Sequence, residues 1–434
     1  MLAQLTSEVR ALGRHACVIG IDRRVPLMSD VNELTTETLE WCASTPLSHR
    51  RARGQYMTPR ALRSELLGRV HLYPGIRVLD PGCGTGEFLR SVLELEPEAE
   101  VTGWDIDPTV LEFAQRVCPT AELVQRDALE PYFGEPFDLV VGNPPYFQFR
   151  ASPEIRRHFG EVISGRPNIF SLFFQVAFSV LNSGGQVAFV VPPSMNGGAY
   201  FDALRNYIVS RSHVSYLRIV DDPFLFEDAQ TAVQLIVLDS AGSSRESNHV
   251  LRIKRAGGFT RQLFTTDAGS LKQSLESGVT LHELGFQVVT GSIVWNQHRS
   301  ELRATAGPSS IPLLWAHNIA EGRIQLVLDD PKKPQFIDGV VPFLGPAILV
   351  NRIVGSVGSP VIRAAVVPDQ FKFVGENHVN VVMPTTSRAR ALVPLVCQAL
   401  MSPDVARVVS RVTGNTQVSA TELQHLTPVQ IQNL

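Results

Sequence analysis

The chain has 434 residues, 44% hydrophobic and 19% charged, which is a globular balance too long for one ordinary domain and suited to two or three. Its net charge of −3 hides an asymmetry: residues 1–240 hold 21 arginines, no lysine and 29 acids, net −8, while residues 241–434 are net +5. No apolar run approaches the roughly 20 residues of a membrane span, and five scattered cysteines (Cys17, Cys42, Cys83, Cys118, Cys397) without a CxxC pair argue against zinc and disulfides, so a soluble, cytoplasmic, metal-free protein is expected.

Residues 1–49 read as a helical extension, with a helix near 33–43. From residue 76 the chain alternates β-rich runs (76–80, 101–105, 121–125, 138–142, 186–191, 215–220, 232–238) with helical stretches (87–95, 108–117, 168–181, 200–209). That alternation predicts an α/β, Rossmann-like sheet of seven strands covered on both faces. Ser240 to His249 is small and polar, with 241–249 as an interdomain linker. Residues 250–434 change to short β-like runs separated by Gly and Pro, then a helical 389–409 segment, which predicts a mixed α+β second domain. Its surplus of basic residues is where contact with a polyanion is expected.

Candidate chemistry sits at the strand ends. The first strand ends in Asp80-Pro-Gly-Cys-Gly-Thr-Gly86, whose glycines Gly82, Gly84 and Gly86 make a tight turn into a helix. No Gly-Lys-Ser/Thr follows, and the spacing departs from GxGxxG, so neither a P-loop nor a dinucleotide fold is indicated. Asp105, followed by Ile106, tips the second strand, where a carboxylate can accept from two ribose hydroxyls. Asp127, followed by Ala128, follows the third and can take an exocyclic amine. The fourth strand ends in Asn143-Pro-Pro-Tyr146. Its prolines leave carbonyls without neighbouring N–H partners, Asn143 adds a side-chain acceptor, and Tyr146 adds an aromatic face. Together they suit a planar substrate bearing an NH2 group.

These motifs, with Arg53-Gly-Gln-Tyr-Met-Thr-Pro59 ahead of the glycine turn, resemble the TaqI-like N6-adenine DNA methyltransferases of the class I superfamily that uses S-adenosylmethionine (SAM). The resemblance covers about residues 50–240, and it implies a catalytic domain there and a DNA target-recognition domain at 250–434. It places Tyr56, Thr58, Pro59, Asp80, Pro81, Gly82, Cys83, Gly84, Gly86, Asp105, Ile106, Asp127, Ala128 and Asn143 around SAM. Asn143, Pro144, Pro145 and Tyr146 become the catalytic loop, and Tyr146 and Phe226 sandwich a base flipped from double-stranded DNA.

Turns at 291–296, 349–353, 377–380 and 414–419 resemble those of recognition domains, and Arg299, Arg303, Lys332, Lys333 and Arg352 are candidate DNA contacts. The expected protein is a monomeric modification enzyme of a restriction-modification system or a solitary methylase, with any cognate nuclease encoded separately. Alternatives are a methyltransferase acting on ribosomal RNA adenine-N6 or on protein glutamine, and a catalytically silent DNA-binding relative.

Overall fold

The computed structural model describes residues 33–165, 167–221, 232–240, 247–320, 322–327, 332–352, 361–413 and 417–431. In chain order its first part runs α1 (Thr36–Ser44), α2 (Leu47–Arg53), α3 (Arg60–Leu67), β1 (Arg77–Asp80), α4 (Glu87–Leu95), β2 (Glu100–Asp105), α5 (Pro108–Val117), β3 (Glu122–Gln125), β4 (Phe137–Gly142), α6 (Pro153–Phe159), α7 (Phe170–Val180), β5 (Leu181–Val191), α8 (Asp202–Arg211), β6 (His213–Val220) and β7 (Val233–Asp239). The seven strands form one sheet in the order β3-β2-β1-β4-β5-β7-β6. β1 to β5 pair in parallel, and β7 runs antiparallel to both its neighbours.

The central strands carry unbroken apolar runs because helices cover both faces. On one face Val78, Val141, Val190 and Leu235 pack against Leu62 and Leu66 of α3 and Leu89 and Val92 of α4. On the other, Val140, Val187 and Ile236 meet Phe170 and Phe174 of α7 and Leu204 and Ile208 of α8. α7 is apolar nearly all round, as a helix buried on most sides must be. Residues 181–186, which join the helical stretch and the β-rich run read from the sequence, are absorbed into β5. Pairing with β4 jumps from Leu181 opposite Phe137 to Gln186 opposite Leu139, and Gly184 takes a φ of 85° in the bulge. Strand order reverses between β1 and β4, and a crevice opens beyond the carboxyl ends of the strands at such a point.

Residues 241–246 of the expected linker lie outside the described residues. After them a hairpin, β8 (Val250–Lys254) and β9 (Thr260–Phe264), turns back onto the sheet domain. Phe264 joins the core on the α7/α8 face, and Gln262 Nε2 donates to Asn206 Oδ1 at 3.1 Å. α9 (Ala268–Glu276) follows.

The remaining described strands form two further sheets. One has six strands in the order Phe286–Thr290, Val379–Pro384, Ala347–Asn351, Ala364–Val367, Gly322–Ile324, Ile319–Ala320. The other has five, in the order Leu302–Arg303, Phe336–Ile337, Ile311–Leu314, Lys372–Gly375, Phe343–Leu344. The single helical segment expected at 389–409 is two helices, α10 (Ser387–Leu400) and α11 (Pro403–Thr413), bent by 79°. Pro403 has no N–H to continue α10 and starts a new helix instead. α12 (Ala420–His425) follows, with Ser419 and Glu422 closing a capping box. Among the described residues no single helix is long and apolar enough to cross a membrane.

Candidate active site

A cavity of about 350 Å³ lies beyond the carboxyl ends of β1 to β4, within the size range of small-molecule sites. The glycine turn forms its floor. Gly82 N donates to Asp80 Oδ1 at 3.2 Å, Cys83 N to the Trp104 carbonyl at 2.9 Å, Gly84 N to Asp105 Oδ2 at 3.0 Å and Gly86 N to the Cys83 carbonyl at 2.8 Å. With these N–H groups engaged inside the protein, the turn does not offer the row of donors that a phosphate cradle needs.

Two carboxylates project along the cavity. Asp105 accepts Gly84 N on one oxygen and Asp107 N, at 2.9 Å, on the other, so its plane is fixed while each oxygen keeps a second lone pair. Burial raises its pKa, and these N–H bonds work the other way. Asp127 accepts Leu129 N at 2.9 Å on Oδ1, and no hydrogen bond from the described residues reaches Oδ2. Between the two, Ile106 is 60% exposed although it is large and apolar, and it lines the cavity with Phe88, Leu129, Phe147, Ile169 and Phe173. An apolar slot with two fixed acceptors and no phosphate nest fits an adenosine-bearing ligand without phosphates, as SAM is.

The Asn-Pro-Pro-Tyr loop closes one end. Gly142 ends β4 beneath Asp80, where a Cβ would stand 2.5 Å from the Asp80 carboxylate. Gly54, at φ 66°, backs onto the loop from α2, where a Cβ would stand 2.8 Å from that of Pro145. Close approach at both points holds the loop between β1 and the 52–58 segment. Asn143 Nδ2 donates to the Tyr56 carbonyl at 3.1 Å, and its Oδ1 accepts from the Tyr146 hydroxyl. The amide is thus oriented with its oxygen on the Tyr146 side, with one lone pair remaining. No hydrogen bond from the described residues reaches the carbonyls of Pro144 or Pro145.

Tyr146, the residue expected to stack on a base, is anchored through its hydroxyl. Its hydroxyl also reaches the Val190 carbonyl at 2.7 Å, its ring meets Phe170 edge-on at 6.2 Å, and burial raises its pKa well above normal. Tyr146 props Asn143 from behind, and the ring that faces the cavity is that of Phe147. Zipping of this loop to the next explains it: Ile169 N donates to the Phe147 carbonyl and Phe149 N to the Pro167 carbonyl.

Two further acids set the electrostatics. Burial pushes Asp80 up to about 8, the Gly82 N–H opposes this, and the neighbouring Asp105 adds to it. Asp107 is held at about 2: burial acts to raise it, but hydrogen bonds involving His49, Thr109 and Gln55 more than offset that. Asp107 caps α5 through Thr109 N at 3.1 Å and takes Gln55 Nε2 at 3.3 Å, with His49 Nε2 at 3.1 Å. It therefore latches the 52–58 segment over the cavity. The Asp-Pro pair at 107–108 signalled the cap in the sequence, but not the latch.

Of the expected SAM residues, Tyr56, Thr58, Asp80, Pro81, Gly82, Cys83, Gly84, Asp105, Ile106, Asp127, Ala128 and Asn143 line this one cavity. Pro59 caps α3 and Gly86 caps α4, both just behind the wall. Sequence reasoning missed Gln55, Met57, Phe88, Leu129, Phe147, Ile169 and Phe173. Only Ile169 and Phe173, four apart on one helix face, carried a usable signal. Phe226 lies outside the described residues.

The C-terminal candidates divide. Arg303 pairs with Asp338 at 2.9 Å, and Arg352 Nη1 donates to the Asn377 carbonyl at 2.8 Å. Arg299 is exposed, with its guanidinium 5.1 Å from the Trp295 ring centre. Lys332 is exposed and Lys333 half-buried in the turn before Phe336.

Residues 102–226 match the family described as Eco57I restriction-modification methylase. The chain is 23% identical over 222 residues to the modification methylase CviBIII of Paramecium bursaria Chlorella virus NC1A, covering 50% of this chain and 58% of that one. It is 31% identical over 186 residues to the type II methyltransferase M.TthHB8I of Thermus thermophilus, covering 40% and 42%. The chain thus spans about half the length of these relatives. Among solved structures it is similar to a putative class I S-adenosylmethionine-dependent methyltransferase of Listeria monocytogenes, with a TM-score of 0.41 at 22% identity over 48% of this chain and 67% of that one.

Proposed function

We propose, from the strand order of the sheet and the match of residues 102–226 to restriction-modification methylases, that this chain is a SAM-dependent DNA methyltransferase that modifies N6 of an adenine rotated out of the duplex. One observation carries this reading: Asn143, with its amide fixed between Tyr56 and Tyr146, shares a single cavity with the paired acceptors Asp105 and Asp127.

When bound, SAM supplies an electrophilic methyl group. Asp105 holds the ribose hydroxyls, Asp127 Oδ2 takes the exocyclic amine of the cofactor's adenine, and Ile106 covers its ring. Asn143 Oδ1 and the Pro144 carbonyl accept the two hydrogens of the substrate amine, which turns its lone pair towards the cavity. Removing an adenine from the stack costs roughly a few kcal/mol, so the amine reaches these acceptors only after the base leaves the helix. Phe226 remains the proposed partner face for that base, and residues 250–434 the proposed recognition domain.

A methyl-acceptor assay offering duplex DNA, ribosomal RNA and protein side by side tests this. Label should enter DNA and appear as N6-methyladenine. Label in RNA or glutamine, or SAM binding without turnover on any DNA, contradicts it.

A further inference from the structure

We propose, resting on the DNA reading above, that the catalytic half itself grips the DNA backbone on both flanks of the Asn143–Tyr146 loop, through Arg51, Arg150 and Arg157. The starting observation is how arginines are paired in this acidic half. Arg60 meets Glu33 and Glu94, Arg77 meets Glu100, and Arg90 meets Glu94. Arg116 meets Glu40, Arg211 meets Glu161, and Arg218 meets Glu65. Others fold inward, such as Arg126 over Trp104, or Arg156 onto the Gly165 carbonyl. Arg51, Arg150 and Arg157 are exposed and meet no acid, ring or carbonyl among the described residues. Glu154 stands one turn before Arg157 on α6 without pairing to it.

Their placement is not scattered. Arg51 lies on α2, three residues before Gly54, which touches Pro145 of the loop. Arg150 follows Tyr146 by four residues, in the stretch where Phe147 and Phe149 are zipped to residues 167–169. Arg157 follows on α6, whose first turn is capped by Ser152. Arg51 and Arg150 therefore stand in the segments that border the reactive loop and Arg157 on the helix that follows, unpaired in a half that carries net −8 and whose other described arginines pair or fold inward. A polyanion that must be held beside the loop while one nucleotide leaves the stack supplies the missing partner, since phosphate oxygens match the guanidinium fork. These contacts position the strand and read no sequence.

The test is the salt dependence of binding of the full chain to a short mixed-sequence DNA duplex, with SAM affinity measured in parallel. Each of Arg51→Ala, Arg150→Ala and Arg157→Ala should lower the slope of log K against log salt by about 1, and the triple variant by about 3. Arg150→Lys should keep the slope, because the charge remains. SAM affinity should not change, and the acid-paired controls Arg116→Ala and Arg218→Ala should bind DNA as the wild type does. If the wild type shows a steep salt dependence that the three variants share unchanged, this inference falls while the DNA reading stands. If the wild type binds no duplex even at low salt, the DNA reading falls and takes the inference with it.

Discussion

In the sheet domain, polar residues that interrupt apolar runs stand at strand ends and converge on one cavity, whereas in the C-terminal half similar residues turn inward and tie loops together. Asp80, Asp105 and Asn143 are of the first kind. Of the second, Asn318 Nδ2 donates to the Gln335 side chain at 2.6 Å and to the Gln325 carbonyl at 2.8 Å, and Asn380 Nδ2 donates to the Val418 carbonyl at 3.1 Å. Arg352 N donates to the His378 carbonyl and Val418 N to the Arg352 carbonyl. Gly291 N donates to the Val379 carbonyl, and Asn377 N to that of Ile293. The recognition-like turns do come together, but much of their polar chemistry is spent on holding one another. A strand end in a parallel sheet has one outlet for a polar side chain, the crevice. A turn between short, irregular strands first has its own backbone to satisfy.

The sharpest way to break this contrast is at Asn143. Asn143→Ala should cut methyl transfer by about 10³-fold, the loss expected on removing one preorganised hydrogen-bonding group, while SAM affinity stays within about tenfold. Near-normal turnover in steady-state kinetics would remove the loop from the chemistry. The next effect is at the joint between the halves. Arg261, 4% exposed on its side chain, lies 3.1 Å from Asp202 of α8 and 3.8 Å from Glu422 of α12. Arg261→Ala should destabilise the chain by about 3 kcal/mol, because it leaves Glu422 buried beside fewer charges. Denaturant unfolding checks this, and an unchanged midpoint would show that the joint holds without it.

Why the sheet domain was legible and the rest was not follows from the same residues. Seven runs rich in β-branched and aliphatic residues, three of the first four ending at Asp or Gly, mark the strands, and burial on both faces sets the register of the central ones. The cavity's apolar wall was largely invisible, since Phe88, Phe147 and Phe173 look like core residues until the fold turns them towards the crevice. The hydroxyl anchor of Tyr146 could not be read, because Val190 is distant in sequence and adjacent across the sheet. The partners of Arg303 and Arg352, Asp338 and the Asn377 carbonyl, could not be read from the sequence either.

Smaller effects sharpen the cofactor end. Asp105→Ala should weaken SAM binding by about 1–3 kcal/mol, the worth of a charge-assisted contact, and calorimetry showing no change would end its ribose role. Asp80 gives a pH signature. It releases its proton near pH 4 when unfolded and near pH 8 when folded, so its stabilisation is full below pH 4 and lost as pH rises through about 8. Stability of the cofactor-free protein should therefore fall across that window by up to about 1.4 kcal/mol per pH unit, and Asp80→Asn should flatten the slope. An equal slope in the variant, measured by denaturant midpoint against pH, would assign the effect elsewhere.

The central claim is that Asn143 and the two nucleoside-facing acids form one methyl-transfer site for DNA adenine. Modification-sensitive sequencing of DNA from cells expressing the wild type or Asn143→Ala tests it most directly. The account predicts N6-methyladenine at one sequence context with the wild type and none with the variant. Unmodified DNA from the wild type, modification of cytosine, or the same pattern from both proteins would contradict it.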